Sequence, residues 1–173
     1  TGTEVGFSSL ATRKEITYQF IDDVVGELAQ LFPGEYFHIG GDESHSTKKD
    51  DYIYFMNRVQ EIVTAHGKKV IGWDEIATAT MSPGSVAQHW ASLPNAQLAV
   101  QQNARLVLSP ASRIYLDMKY DSTTVLGLKW AGFTEVDKAY NWNPDTLVQG
   151  VDPSAIWGIE APLWAETVET LDD

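Results

Sequence analysis

Two adjacent carboxylates, Asp42 and Glu43, close the run Tyr36-Phe37-His38-Ile39-Gly40-Gly41-Asp42-Glu43-Ser44-His45. An acid pair flanked by histidines can move protons or hold a cation, provided a scaffold brings a substrate against it. The residues before it are aromatic and β-branched, and Pro33-Gly34 punctuates their start, so Glu35 to Ile39 reads as a buried strand. Gly40 and Gly41 carry no side chain, which leaves room for a ligand against the backbone. The acids thus sit where a strand passes into a loop. Ionisable groups at the carboxyl ends of parallel strands are how a catalytic barrel is built. A capped acidic surface turn is the plainer explanation of an Asp-Glu pair taken alone. Paired glycines, paired histidines and a hydrophobic strand make an odd surface turn.

The elements that must hold these acids follow from periodicity. Ile16, Phe20, Val24, Leu28 and Leu31, widened by Ile21 and Val25, mark an amphipathic helix before the acidic block. Thr12 and Glu15 have capping-box spacing at its start, and Pro33-Gly34 ends it. After the block, a helix starting near Asp50 buries Tyr52, Phe55, Met56, Val59, Ile62 and Val63 and stops at His66-Gly67. The shape of strand, aromatic and acids then recurs in Lys69 to Trp73, followed by Asp74-Glu75. Ser85 to Trp90 is a third strand, Asn95 caps a helix through Asn103, and Arg105 to Ser109 is a fourth strand leading past Pro110 to Tyr115-Leu116-Asp117. Met118 to Thr134, glycine-containing and aperiodic, is expected to be an active-site loop. Short helices begin at Thr134 and at Asn143-Pro144-Asp145. A fifth strand, Ala155 to Glu160, precedes Leu163-Trp164-Ala165-Glu166.

Alternating strands and helices with short connections predict a parallel sheet covered by helices. The 173 residues can bury one core, so a single domain over 1–173 is expected. A complete eight-stranded barrel takes about 250 residues. The chain is therefore expected to be part of one. Its net charge of -12 argues against nucleic acid as a partner. No apolar run is long enough to span a membrane. Without cysteine there is no disulfide, thiolate nucleophile or Cys-ligated zinc, and the compartment stays open. No leader is visible, and Thr1 is not an initiator Met, so the chain is expected to be processed or cut from something longer.

The block His38-Ile39-Gly40-Gly41-Asp42-Glu43 resembles the signature of the family 20 glycoside hydrolases, the β-N-acetylhexosaminidases, in which an Asp-Glu pair ends the fourth strand of a (β/α)8 barrel. From about Thr12 to Glu166 the other landmarks fall in that family's order. Gly72-Trp73-Asp74-Glu75 is similar to the end of the fifth strand and Gln88-His89-Trp90 to the sixth. Tyr115-Leu116-Asp117 is similar to the segment after the seventh strand, and Leu163-Trp164-Ala165-Glu166 to the one after the eighth. The resemblance implies an α/β fold, a partial (β/α)8 TIM barrel of about strands four to eight with their helices. It implies hydrolysis of terminal N-acetyl-β-hexosamine from chitin oligomers or other glycans, with no metal and no cofactor.

By the same likeness, Glu43 protonates the glycosidic oxygen. A like charge at Asp42 and water-excluding aromatic walls favour the protonated acid that this role requires. The nucleophile is the substrate's own acetamido oxygen, an exception to the two-carboxylate scheme. Asp42 accepts from the acetamido N–H, and Tyr115 donates to the acetamido oxygen. Trp73, Trp90, Trp130 and Trp164 wall the sugar, whose C–H faces suit flat rings, while Asp117 and Glu166 accept from its hydroxyls. Trp142 and Trp157 are packing residues, Asp74 and Glu75 structural or rim acids. His38 orients Asp42 or fills the barrel, and His45, His66 and His89 are structural.

The family's first three strands, and the arginine that binds sugar hydroxyls from them, have no counterpart; Arg13 and Arg113 are in the wrong places. The fragment is accordingly expected to associate with itself or with a missing N-terminal half, and to be inactive or nearly so alone. Two rivals stand beside this reading. One is a metal-dependent barrel hydrolase with His38, Asp42, Glu43 and His45 as ligands. The other is a carbohydrate-binding fragment that keeps the aromatic pocket without turnover.

Overall fold

The computed structural model describes residues 5–170, so the first four residues of the irregular N-terminal stretch lie outside it. The first helix, α1 (Glu15–Leu31), starts later than its capping box implies: Lys14 is the cap residue, and no side chain caps the helix. The first turn is tied down from within the helix. The Tyr18 hydroxyl donates to the Thr12 carbonyl and Thr17 Oγ1 donates to the Ala11 carbonyl at 2.9 Å.

Five strands follow: β1 (Tyr36–His38), β2 (Lys69–Trp73), β3 (Val86–His89), β4 (Arg105–Leu108) and β5 (Ile156–Ile159). They form one sheet in sequence order, every pair parallel. Helices α2 (Lys49–Ala65) and α3 (Leu93–Gln101) cross between strands, as parallel neighbours require. Side chains alternate along each strand. Phe37, Val70, Ala87, Leu106, Leu108 and Ile156 pack under the helices with Met56, Val63 and Ile76. The opposite face is concave and polar. His38 Nε2 donates to Gln88 Oε1 at 3.1 Å, and Gln88 Nε2 donates to Ser109 Oγ at 2.9 Å and to Glu160 at 2.7 Å. The sheet is rolled far enough for Tyr36 on β1 to meet Trp157 on β5, ring centroids 4.9 Å apart. A register shift between Leu106 and Val107 accompanies that approach. Trp157, expected as a packing residue, is 48% exposed apart from this contact, whereas Trp142 packs against the main core as expected.

Among the described residues β1 and β5 each pair with a single neighbour. The outer stripe of α1 tells the same story. Ile16, Phe20 and Leu31 are 66%, 58% and 71% exposed, while Thr17, Tyr18 and Val25 are the buried positions. The sequence pattern was correctly apolar, but α1 is apolar on two sides. Only one of them has a partner, since α2 lies against Tyr18 and leaves the periodic stripe uncovered.

Two caps differ from expectation. Ser92, not Asn95, caps α3: its hydroxyl accepts from Asn95 N at 3.3 Å, and the Asn95 amide is drawn to Asp74 Oδ1 at 3.1 Å. Glu135, not Thr134, precedes α5 (Val136–Tyr140), and the Thr134 hydroxyl is buried without a partner. A short helix, α4 (Ala111–Ile114), forms after Pro110, where no element was expected. The turn α6 (Pro144–Leu147) forms as its Asn-Pro-Asp start requires, with Asn143 Oδ1 accepting from Asp145 N at 3.0 Å.

Candidate active site

Gly40 and Gly41 leave β1 with φ of +67° and +108°, values that cost a side chain strain, and Glu43 is held at +46°. These left-handed steps swing the chain out of the sheet, so that Asp42 and Glu43 stand at the strand's carboxyl end. The turn is clamped: Tyr52 Oη donates to the Gly41 carbonyl at 2.6 Å, and His45 N donates to the Glu43 carbonyl at 2.8 Å. A Cβ on Gly41 would lie 2.6 Å from Ile76 Cγ2. Gly41→Ala is therefore expected to lose about 2 to 4 kcal/mol of stability, from the strained φ and the overpacking together, readable as a lower urea midpoint. An unchanged midpoint would mean that the turn is not built this way.

Asp42 and Glu43 open onto a cavity of about 360 Å³ that Trp73, Trp90, Tyr115, Trp130, Trp164 and Glu166 also line. Its aromatic wall is continuous. Trp73 meets Trp164 at 6.1 Å, Trp164 meets Tyr115 at 6.3 Å, Tyr115 meets Trp130 at 5.8 Å and Trp130 meets Trp90 at 5.9 Å, centroid to centroid. Tilted and edge-on contacts at such separations stabilise the rings against one another and leave faces free for a ligand. Each ring comes from a different place: the end of β2, the end of β3, the stretch after α4, the Met118 to Thr134 loop and the stretch after β5. That loop is irregular, as expected, and is joined to itself by a bridge between Met118 and Leu128.

Tyr115 is 4% exposed. Burial pushes its phenol well above the ordinary value, an effect that a hydrogen bond with the Trp164 side chain partly offsets. It is thus a hydroxyl donor at any physiological pH. Asp117 is buried beside this wall but is not among the residues lining the cavity. Burial raises its carboxyl, and the main-chain N–H groups of Asp117 and Trp164 bear on it without closing a hydrogen bond to either oxygen. Two lining residues, Val5 and Leu128, carried no chemical signal in the sequence.

The two acids after β2 separate in role. Asp74 is fully buried and structural: it accepts from His89 Nδ1 at 2.8 Å, Ser92 N at 3.3 Å and Asn95 Nδ2 at 3.1 Å. Glu75 is half-buried and accepts from the Trp90 indole N–H through both oxygens, at 3.2 and 3.1 Å. Burial pushes its carboxyl from the usual 4.5 up to about 7. The folded chain therefore binds this proton more tightly than the unfolded chain does. The Glu75 contribution to stability is greatest below about pH 4.5, falls as pH rises toward 7, and is lower by about 2 kcal/mol above that, after allowance for partial exposure.

His38 is spent within the fold. Burial lowers its imidazole, Nδ1 accepts from Gly40 N at 3.1 Å, and Nε2 reaches Gln88. It supports the turn and fills the concave face rather than holding Asp42. His66 pairs with Asp22 at 2.7 Å, and the His45 ring packs against Phe7. Arg13 is occupied by Asp51 at 2.7 Å and by the Tyr54 ring. Among the described residues no three His, Asp or Glu side chains converge in a manner that could ligate a metal, so the His38, Asp42, Glu43 and His45 set is not assembled. Nor is any helix long and apolar enough to cross a membrane.

Comparison with known proteins bears on this geometry. The family model for the glycosyl hydrolase family 20 catalytic domain matches residues 2–173. A beta-N-acetylhexosaminidase of Cellulomonas fimi is 46% identical over 176 residues, covering 100% of this chain and 36% of that protein. The GH20 beta-N-acetylhexosaminidase of Streptomyces coelicolor A3(2) superposes with a TM-score of 0.93 at 48% identity, over 98% of this chain and 36% of that one. A mutant Streptomyces plicatus beta-hexosaminidase in complex with the product GlcNAc gives the same TM-score of 0.93, identity of 48% and coverage of 98% and 36%. The chain thus spans about a third of the length of the relatives that it matches.

Proposed function

We propose, from the premise that this chain belongs to glycosyl hydrolase family 20, that the whole protein removes terminal non-reducing N-acetyl-β-hexosamine residues from glycans with retention of configuration. One observation carries this: Asp42, Glu43 and Tyr115 share a single cavity with four indoles. A pyranose packed against those rings presents its glycosidic oxygen to Glu43, which gives up its proton as the bond to the anomeric carbon breaks. The acetamido oxygen attacks that carbon from the opposite face, held there by the Tyr115 hydroxyl. Asp42 accepts from the acetamido N–H and offsets the positive charge of the oxazolinium that forms. Water then attacks the same carbon, its proton passing to Glu43, and the ring opens back to the acetamide. Positioning a nucleophile already attached to the substrate lowers the barrier by several kcal/mol. Glu166 at the cavity wall and Asp117 behind it are proposed acceptors for sugar hydroxyls.

The chain is proposed to be one incomplete domain whose missing barrel strands cover the apolar side of α1 and pair β1 and β5. Alone it would leave those surfaces to solvent or to a second copy of itself. A chromogenic N-acetyl-β-D-glucosaminide tests both statements. No turnover is expected from the isolated chain, and chelator-insensitive turnover is expected from a longer protein that includes it. Robust turnover by the chain alone would defeat the fragment proposal. A longer protein inert toward both gluco- and galacto-configured substrates would defeat the activity.

A further inference from the structure

Glu75 has a role that the proposed mechanism does not use. It stands on the 3-10 turn Asp74–Thr78 directly after β2, outside the cavity lining and immediately behind it. Its carboxylate takes the Trp90 indole N–H between both oxygens, at 3.1 and 3.2 Å. The main-chain N–H of Glu43 is also directed at it. One carboxylate therefore bonds an aromatic wall and attracts the backbone of the acid, two parts of the site that come from different strands. Both partners need holding. Trp90 meets Trp130 edge-on, so a rotation of the Trp90 indole would break the belt. Glu43 sits at φ +46°, where a residue with a side chain stays only when its surroundings fix it.

We infer that Glu75 is a positioning residue: as a carboxylate it fixes the Trp90 indole and the Glu43 main chain in the arrangement that receives the sugar. This rests on the hexosaminidase reading of the cavity. An ionised Glu75 accepts the Trp90 N–H through both oxygens and attracts the Glu43 N–H. A protonated one turns one oxygen into a donor and leaves a single full acceptor, so its hold weakens. Among the described residues, the titratable groups acting on it are Asp74 on its own turn and Tyr52 from α2, and no cation is among them. Its ionisation is therefore set by burial, which places the change near neutral pH.

The test follows the Trp90 indole N–H by proton–nitrogen correlation NMR of the chain, its peak among the six tryptophans identified by loss in Trp90→Phe. The peak is expected to titrate with a midpoint near pH 7 and to stay flat in Glu75→Gln. N-acetylglucosamine affinity, measured alongside in a longer protein that carries this chain, should be several-fold weaker below the midpoint than above it. In Glu75→Gln it should be independent of pH and fixed at the weaker value, although that variant is the more stable protein at pH 8. Greater stability with weaker binding is what a merely structural acid would not give. A Trp90 peak that fails to titrate, or that titrates unchanged in Glu75→Gln, overturns the inference. A peak that titrates as expected, beside a longer protein that binds no N-acetylglucosamine at any pH, supports the Glu75 coupling and defeats the hexosamine reading instead.

Discussion

Glu43→Gln, made in a longer protein that carries this chain, should lower turnover of an N-acetyl-β-hexosaminide by roughly 10²–10⁴-fold, the range that a positioned general acid supplies. Gln is nearly isosteric, so the left-handed backbone at residue 43 and the cavity wall have no reason to change. Sugar affinity should stay within a few-fold of the parent. The loss should also depend on the leaving group. A nitrophenolate departs without much help and would hide part of the defect, whereas a sugar hydroxyl needs the proton and would reveal all of it. Steady-state kinetics with both substrates, beside product binding by calorimetry, reads the two effects separately. Equal losses on both substrates would remove Glu43 from the acid role. Loss of binding in step with turnover would show that the side chain shapes the pocket and does no chemistry.

Tyr115→Phe removes one oxygen from a ring that is 4% exposed and wedged between Trp130 and Trp164. The ring contacts survive and only the hydroxyl's hydrogen bond with Trp164 goes, so stability should fall by no more than about 1 kcal/mol. Turnover should fall by about 10²–10³-fold, as when a single donor to a developing charge is deleted. Most of the loss should lie in kcat, since the hydroxyl is proposed to work hardest while the acetamido oxygen bonds to the anomeric carbon. A larger effect on KM than on kcat would make Tyr115 a binding residue only. A large fall in melting temperature would make it a packing one.

The acidic turn was legible because everything that shapes it is local. Two glycines, a strand before them and a helix after them are all within reach of Asp42 in sequence. The five strands were legible for the same reason, since each is short, apolar and ended by a turn-forming or aromatic residue. What escaped depends on residues far apart in the chain. The Thr12–Glu15 capping box does not form, and the Thr17 and Tyr18 hydroxyls bond the Ala11 and Thr12 carbonyls instead. The stripe of α1 was identified as apolar, but periodicity cannot say which of two apolar sides meets α2. Glu75 looked like a rim acid because its partner, Trp90, reaches it only once β2 and β3 are paired. Asp117 falls beside the wall and not on it because the chain after α4 turns its carboxyl toward the Trp164 backbone, a detail that no spacing records.

The contact of Tyr36 with Trp157 has a kinetic consequence. It draws the first and last strands toward each other before any further strand is added, so the gap between them is a seam of defined width and not a loose opening. On the proposed reading, the acid, the acetamido partners and the indoles all lie on one side of that seam. A complementary segment supplied as a separate chain would then restore hydrolysis only while docked. Rate would climb with the concentration of either piece, reach half its maximum at the dissociation constant of the joint and level off well above it, making this half-barrel a reporter of its own assembly.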